Sequence, residues 1–190
     1  MIMKINAPTP TGREIKLSSE QMLVSKTDAH GNIVYSNECF VDVSGYSKEE
    51  LIGTPHNILR HPDMPKAIFY LMWREIRRGN NIIAVVKNLS KSGDHYWVTT
   101  DFEIKKTREG KIRNYMAFRQ SAPRNVIKVI EPLYKKMLEI EATDGMDGSV
   151  EYLEKFLKKK RMSYNEFIQD LATPTSISSF FKKMKELFPA

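Results

Sequence analysis

Three consecutive segments of strand character, joined by turns too short for a crossover, constrain this chain more than any other feature. They are Ile82–Lys91, Asp94–Lys106 and Lys111–Ser121. The joins, Ser90-Lys91-Ser92-Gly93-Asp94 and Thr107-Arg108-Glu109-Gly110, are turn chemistry. A parallel neighbour needs a crossover of about a dozen residues or more, so these strands must run antiparallel. In the middle one, Tyr96, Val98, Thr100, Phe102 and Ile104 alternate with Trp97, Thr99, Asp101 and Glu103. That is the period of a sheet with two distinct faces, so Tyr96 and Trp97 point opposite ways. An earlier hairpin has the same form: Met22-Leu23-Val24, the turn Asp28-Ala29-His30-Gly31-Asn32, then Ile33-Val34-Tyr35.

Between hairpin and triplet the period becomes helical. Glu38–Ser44 is a short helix stopped by Gly45. Ser47-Lys48-Glu49-Glu50 has the capping-box form and ends at Gly53. Residues 54–65 hold three prolines and read as a loop. Pro65 suits the first turn of a helix running to about Arg78, with Ile68, Leu71, Met72 and Ile76 on one stripe and Gly79 as its stop. This order predicts an α+β fold: a five-stranded antiparallel sheet with short helices on one face and a concave pocket between them. Residues 1–14 read as a flexible arm, 15–121 as the folded domain and 122–190 as a helical extension. In the extension Ile127, Ile130, Leu133, Met137 and Ile140 form a stripe that Pro132 is expected to interrupt. Thr143–Ser149 reads as a linker. Val150, Leu153, Phe156 and Leu157 start another amphipathic helix, Ser163-Tyr164-Asn165-Glu166 is a second capping box, and Ile177, Phe180, Phe181, Met184 and Leu187 suggest a last helix. The stripe suits packing on the sheet, on a second copy or on a partner helix.

Composition excludes several classes. The 190 residues hold one cysteine, Cys39, which rules out an internal disulfide and a multi-cysteine zinc site. No apolar run is long enough to span a bilayer, and MIMKINAPTP has no signal-peptide core, so a cytoplasmic protein is expected. The net charge of +7 is spread thinly. The run Lys158–Arg161 lies on an amphipathic helix and reads as a solvated face, with no aromatic interleaving to suggest nucleic acid. His61 and Asp63 have the form of a base and its orienter, but no nucleophile, metal set or Gly-rich phosphate loop accompanies them, so no turnover is expected.

The stretch Gly53-Thr54-Pro55-His56-Asn57-Ile58-Leu59-Arg60-His61-Pro62-Asp63-Met64-Pro65-Lys66-Ala67 resembles the PAS domain of bacterial aerotaxis receptors of the Aer type. So do Val43-Ser44-Gly45-Tyr46, Val86-Lys87-Asn88, Asp94-His95-Tyr96-Trp97-Val98, Arg108-Glu109-Gly110-Lys111-Ile112 and Glu131-Pro132-Leu133-Tyr134-Lys135. The resemblance covers residues 15–138, and His-Pro-Asp-Met-Pro is its most specific part. In layout the chain is most similar to stand-alone, CetB-like energy-taxis PAS proteins, which work with a separate membrane receptor. The resemblance implies a PAS fold, non-covalent FAD, a redox report and a methyl-accepting chemotaxis-type receptor as partner, with a homodimer as a further arrangement.

It also implies a site. In the family the residues matching Arg60, His61 and Asp63 are needed for cofactor binding, and those matching Asn37 and Asn88 contact the ring or cofactor. The chemistry suits: Arg60 presents a fork for phosphate oxygens, His61 a ring donor, and Pro62 and Pro65 stiffen the loop. Asp63 also has the place of a helix cap. An amide such as Asn37 or Asn88 can donate or accept, which matches a ring whose nitrogens change protonation on reduction. Trp73 is positioned to stack on the cofactor or to serve as a core aromatic. Where Aer-type receptors carry a Trp this chain has Ile82, which predicts one aromatic neighbour fewer for the ring. Haem held by His56 or His61 is the rival cofactor reading. A cofactor-free interaction module is the rival without one. Thiol–flavin adduct chemistry is disfavoured, because Cys39 lies outside the usual reactive motif and reads as a small buried hydrophobe.

Overall fold

A computed structural model describes residues 8–172. The suggested helix from Ile177 to Leu187 lies outside the described residues, as does the first half of the arm. Five strands form one antiparallel sheet: β1 (Leu23–Asp28), β2 (Ile33–Ser36), β3 (Ile83–Leu89), β4 (His95–Lys106) and β5 (Ile112–Ser121), in the order β2-β1-β5-β4-β3. The three-strand run lies as its turns require, with Asn88 opposite Tyr96 and Thr100 opposite Arg119. The hairpin closes on it through β1–β5, so β5, the last strand in the chain, sits at the centre.

The helices between the hairpin and β3 are α1 (Glu38–Ser44), α2 (Lys48–Leu51) and α3 (Lys66–Arg78), with a 3-10 turn at His56–Leu59. Local chemistry sets their ends. Asn37 caps α1, Ser47 and Glu50 form the capping box of α2, and Gly45 and Gly79 close α1 and α3 in the left-handed conformation. This face of the sheet holds the core residues Phe40, Leu51, Leu59, Met64 and Ile68, all at most 1% exposed.

The other face is covered by the chain's own extension. Helix α4 (Arg124–Lys160) lays Val126, Ile127, Ile130, Leu133, Tyr134 and Met137 against the sheet, and α5 (Tyr164–Leu171) adds Phe167 and Ile168. These residues belong to the same continuous core as the strands. Of the three surfaces that suit the stripe, the structure selects the chain's own sheet.

Three sequence expectations are corrected here. Pro132 does not interrupt the helix, which runs through it. Pro132 and Lys128 are both exposed, so the carbonyl that loses its partner faces water. Burial of the stripe, worth about 1.5–3 kcal/mol per large apolar side chain, offsets the proline penalty of about 3 kcal/mol. The Thr143–Ser149 segment is helical, and the break narrows to Gly145 (φ 73°, ψ −172°). The arm, expected to be flexible, is tied along the start of β4 by Thr11 N–H to Gly93 O, Ile15 N–H to His95 O and His95 N–H to Arg13 O.

Candidate functional site

Between α3 and the sheet lies a cavity of about 420 Å³. Its apolar walls are Phe69, Met72, Trp73 and Ile76 from α3, Val86 from β3, Phe102 from β4, and Tyr115 and Ala117 from β5. The turn between β1 and β2 closes one side at Gly31. Its positive φ of 92° suits glycine, and a Cβ there would lie 2.9 Å from the Trp73 ring. Trp73 stands edge-on to Tyr115 at 5.6 Å between centroids, and the Arg77 guanidinium lies 5.1 Å from its ring.

The polar end of the cavity is built on Arg119 and His56. Arg119 is 4% exposed and pairs with no carboxylate among the described residues. Its guanidinium donates to Ser25 Oγ at 2.9 Å and to His56 Nε2 at 2.9 Å, and lies 5.6 Å from the Phe40 ring centroid. Burial and the Arg119 charge push His56 down to about 3, so the imidazole is neutral and accepts at Nε2. Burial likewise pulls Arg119 down to about 10. At neutral pH this leaves a fixed cation facing the cavity, an arrangement that is costly unless something uses it.

Two further polar residues, Asn88 and Thr100, line the cavity. Asn88 Nδ2 and Thr100 Oγ1 are buried and have no hydrogen-bond partner. The Tyr96 hydroxyl lies on the residue opposite Asn88 across the strands; burial raises its pKa, and the Arg119 charge and the Asn88 side chain work against that. Most buried polar atoms in folded proteins find a partner, and a ligand in the cavity would supply the bonds that Asn88 and Thr100 lack. Trp97 faces away and stacks on Tyr134, and neither it nor Tyr96 lines the cavity.

The six residues singled out from sequence divide evenly. Arg60, Asn88 and Trp73 line the cavity. Arg60 sits at its rim, donating from Nη2 to Met64 O at 3.1 Å and lying 4.7 Å from the Phe69 ring centroid. Asn37, His61 and Asp63 do not line it. Asn37 serves the backbone: Oδ1 accepts from Val24 N–H and Phe40 N–H, and Nδ2 donates to Met22 O. His61 is 3% exposed and its Nδ1 accepts from Asp63 N–H at 3.0 Å, an arrangement that sets the loop's shape. Burial and the neighbouring Lys87 charge push it down to about 4. Asp63 does not cap α3. It accepts from Lys87 Nζ at 2.6 Å, on the strand residue that faces α4. These two hold the Arg60 loop against β3 and so support the cavity from outside.

Ile82 is placed elsewhere too. Its side chain lines a separate cavity of about 300 Å³ between α3, α4 and α5, so the aromatic absent at this position is not a wall of the main cavity. Cys39 is half-buried with its thiol pushed up by burial, and it is not a cavity residue. Sequence reading missed Ser25, Thr100 and Arg119, and weighed His56 only as a haem ligand. For Arg119 there was a signal: period two puts it on the same face as Tyr115 and Ala117, a charge at an inward position of an apolar strand.

This sheet order, the helices across one face and the cavity beneath them define a PAS domain, and residues 33–119 match the family model described as PAS fold. In sequence the domain is similar to part of the aerotaxis receptor of Escherichia coli, which is 45% identical over 130 residues, 68% of this chain and 26% of the receptor. The chain thus spans about a quarter of that relative's length. The nitrogen fixation regulatory protein of Klebsiella oxytoca is 27% identical over 97 residues, 51% of this chain and 20% of that protein. Among solved structures, the light state of the blue-light photoreceptor Aureochrome1 LOV superposes with a TM-score of 0.53 at 21% identity, covering 58% of this chain and 88% of that one. At that identity the likeness concerns the fold alone. Among the described residues no helix is long and apolar enough to cross a membrane.

Proposed function

We propose that this chain is a PAS redox sensor that binds FAD non-covalently in the cavity and passes its redox state by protein contact to a chemotaxis-type receptor. The observation that carries this reading is a largely apolar slot lined by Asn88 and Thr100, whose Nδ2 and Oγ1 are buried without partners, with the Arg119 cation, which meets no carboxylate among the described residues, at its end. A flat heteroaromatic ring with polar edges fits that combination. The apolar walls take the ring faces, Asn88 and Thr100 meet its polar edge, and Arg119 favours a ring that gains electron density. Arg60 at the rim is placed for a phosphate of the dinucleotide tail.

A bound flavin supplies reversible redox chemistry in which ring nitrogens change protonation. The chain's own part is to answer it. Asn88 carries a donor and an acceptor on one rotatable amide, so a change at the ring edge is met by an amide rotation. Asn88 lies on β3 between Lys87 and Leu89, and Lys87 faces α4. A change of hydrogen bonding at Asn88 therefore reaches the strand that α4 rests on, and the sheet and extension change their contact with the receptor.

The haem reading has less support. His61 lies outside the cavity, and His56 Nε2 is already taken by Arg119 and Ser25. The test is a visible absorption spectrum of the purified chain before and after dithionite. A two-peaked spectrum that bleaches, with FAD in the released fraction, is the expected result. A Soret band would transfer the site to haem, and no chromophore after adding FAD would leave an interaction module.

A further inference from the structure

Helix α3 begins without a cap from its own end of the chain. Pro65 stands at the N-cap with no side-chain acceptor. The first two amides are taken instead by Glu141 of α4, which accepts from Lys66 N–H at 3.0 Å and Ala67 N–H at 2.9 Å, one carboxylate oxygen each. A carboxylate at this end of a helix meets both unpaired donors and the positive end of the helix dipole. Glu141 also acts on Arg60: burial lowers the guanidinium's pKa and the Glu141 charge works against that. Arg60 and the start of α3 thus form one positive corner, joined through the Arg60–Met64 bond, with one side on the cavity rim and the other holding α4.

We propose that Glu141 is an internal anion that competes with an anionic ligand for this corner, so that ligand binding and the docking of α4 oppose each other. The proposal rests on the reading of Arg60 as a phosphate contact. A phosphate at Arg60 brings a second negative charge close to Glu141, and the corner cannot stabilise both fully. Coupling of this kind is reciprocal: what loosens Glu141 tightens the anionic ligand, and the ligand loosens Glu141. Four residues beyond Glu141 the helix breaks at Gly145, whose backbone angles are open to glycine alone, so the two halves of α4 can turn relative to one another without either unfolding. On the far side of that break α4 is held to α3 by Arg74 and Glu154, and α5 is held to the sheet by Asn165, which accepts from Ile83 N–H. Release at Glu141 therefore frees the turns between Met137, which stays packed on the sheet, and the break at Gly145.

Glu141→Gln tests this, because it keeps an acceptor for the amides and removes the charge. Titrations of the ligand-free chain with FAD and with riboflavin, which has no phosphate, separate the ring from the tail. The variant should bind FAD about fivefold more tightly or better, within the usual range of such couplings, and riboflavin unchanged. In the wild-type chain, FAD or inorganic pyrophosphate should speed hydrogen exchange at the Lys66 and Ala67 amides, and riboflavin should not. Equal changes for both flavins, or FAD affinity unchanged or weakened, would overturn the proposal. If neither flavin binds the wild type, the flavin reading fails by itself and the pyrophosphate experiment decides: faster exchange at Lys66 and Ala67 upholds the competition, and no change rejects it.

Discussion

The two faces of the one sheet are finished differently. On the face under α1–α3 the space is left open, Asn88 Nδ2 and Thr100 Oγ1 lack partners on residues that line it, and the Arg119 charge meets no carboxylate among the described residues. On the face under α4 the groups that reach the helix are matched. The Tyr134 hydroxyl donates to Val85 O at 2.7 Å and shares a bond with the Tyr164 hydroxyl at 2.8 Å, and Lys87 meets Asp63. Thr99 Oγ1 and Glu103 Oε2 on β4 and Ser149 Oγ on α4 are exceptions, buried without a partner. Both faces are built from the same strands, residue by alternate residue. One face is filled by the chain's own helix, and the other leaves the open space that the proposed ligand would occupy.

The contrast breaks most sharply on the covered face. Met137, fully buried on α4, should cost about 2–5 kcal/mol of unfolding free energy as Met137→Ala, read by urea denaturation, because the cavity left behind cannot close fully. Flavin affinity measured without denaturant should stay near wild type.

Acid should act next, and on the cavity face. His56 has its pKa pushed to about 3, below the usual value of 6.5, so the unfolded chain binds the proton that the folded one refuses. The stability His56 permits is complete above about pH 6.5 and falls as the pH drops from there toward 3. From pH 7 to pH 5 the loss is on the order of 2 kcal/mol. His61, pushed to about 4, acts in the same direction. Melting curves at several pH values should show the loss, and His56→Gln should reduce it. A profile equally steep in the variant would remove His56 as the cause.

Arg119→Met sharpens the comparison by separating stability from binding. Flavin affinity should fall tenfold or more, about 1.4 kcal/mol. The ligand-free chain should change in stability by less than about 1 kcal/mol, since a buried unpaired cation is itself expensive. A large loss of stability with binding intact would make Arg119 a structural residue. The smallest effect belongs to Tyr134→Phe, which deletes the two hydroxyl bonds of the covered face at about 1 kcal/mol and should leave flavin binding unchanged.

The elements themselves were legible in the sequence. The capping boxes at Ser47 and Ser163 form as written, and α1 runs over the residues its glycine stop and polar start imply. Caps and tight turns are local, so a few adjacent residues carry their whole cause. Half of the candidate site was legible too. Arg60, Asn88 and Trp73 reach the cavity, whereas Asn37, His61 and Asp63 spend their polar atoms on the backbone and on Lys87. A motif names residues that matter together without saying which of them face the ligand.

What the sequence by itself determined was the antiparallel sheet, the position of each strand and short helix, and the apolar stripe of the extension, because these follow from period and punctuation along the chain. Only the tertiary structure decided that the stripe closes on its own sheet, that Arg119 and His56 meet 63 positions apart, and that Glu141 caps a helix 75 positions before it. The physical reason is range. Backbone conformation is settled by neighbours a few residues away, while burial of a charge and the partner of a carboxylate depend on which distant segments the core brings within a hydrogen bond of each other.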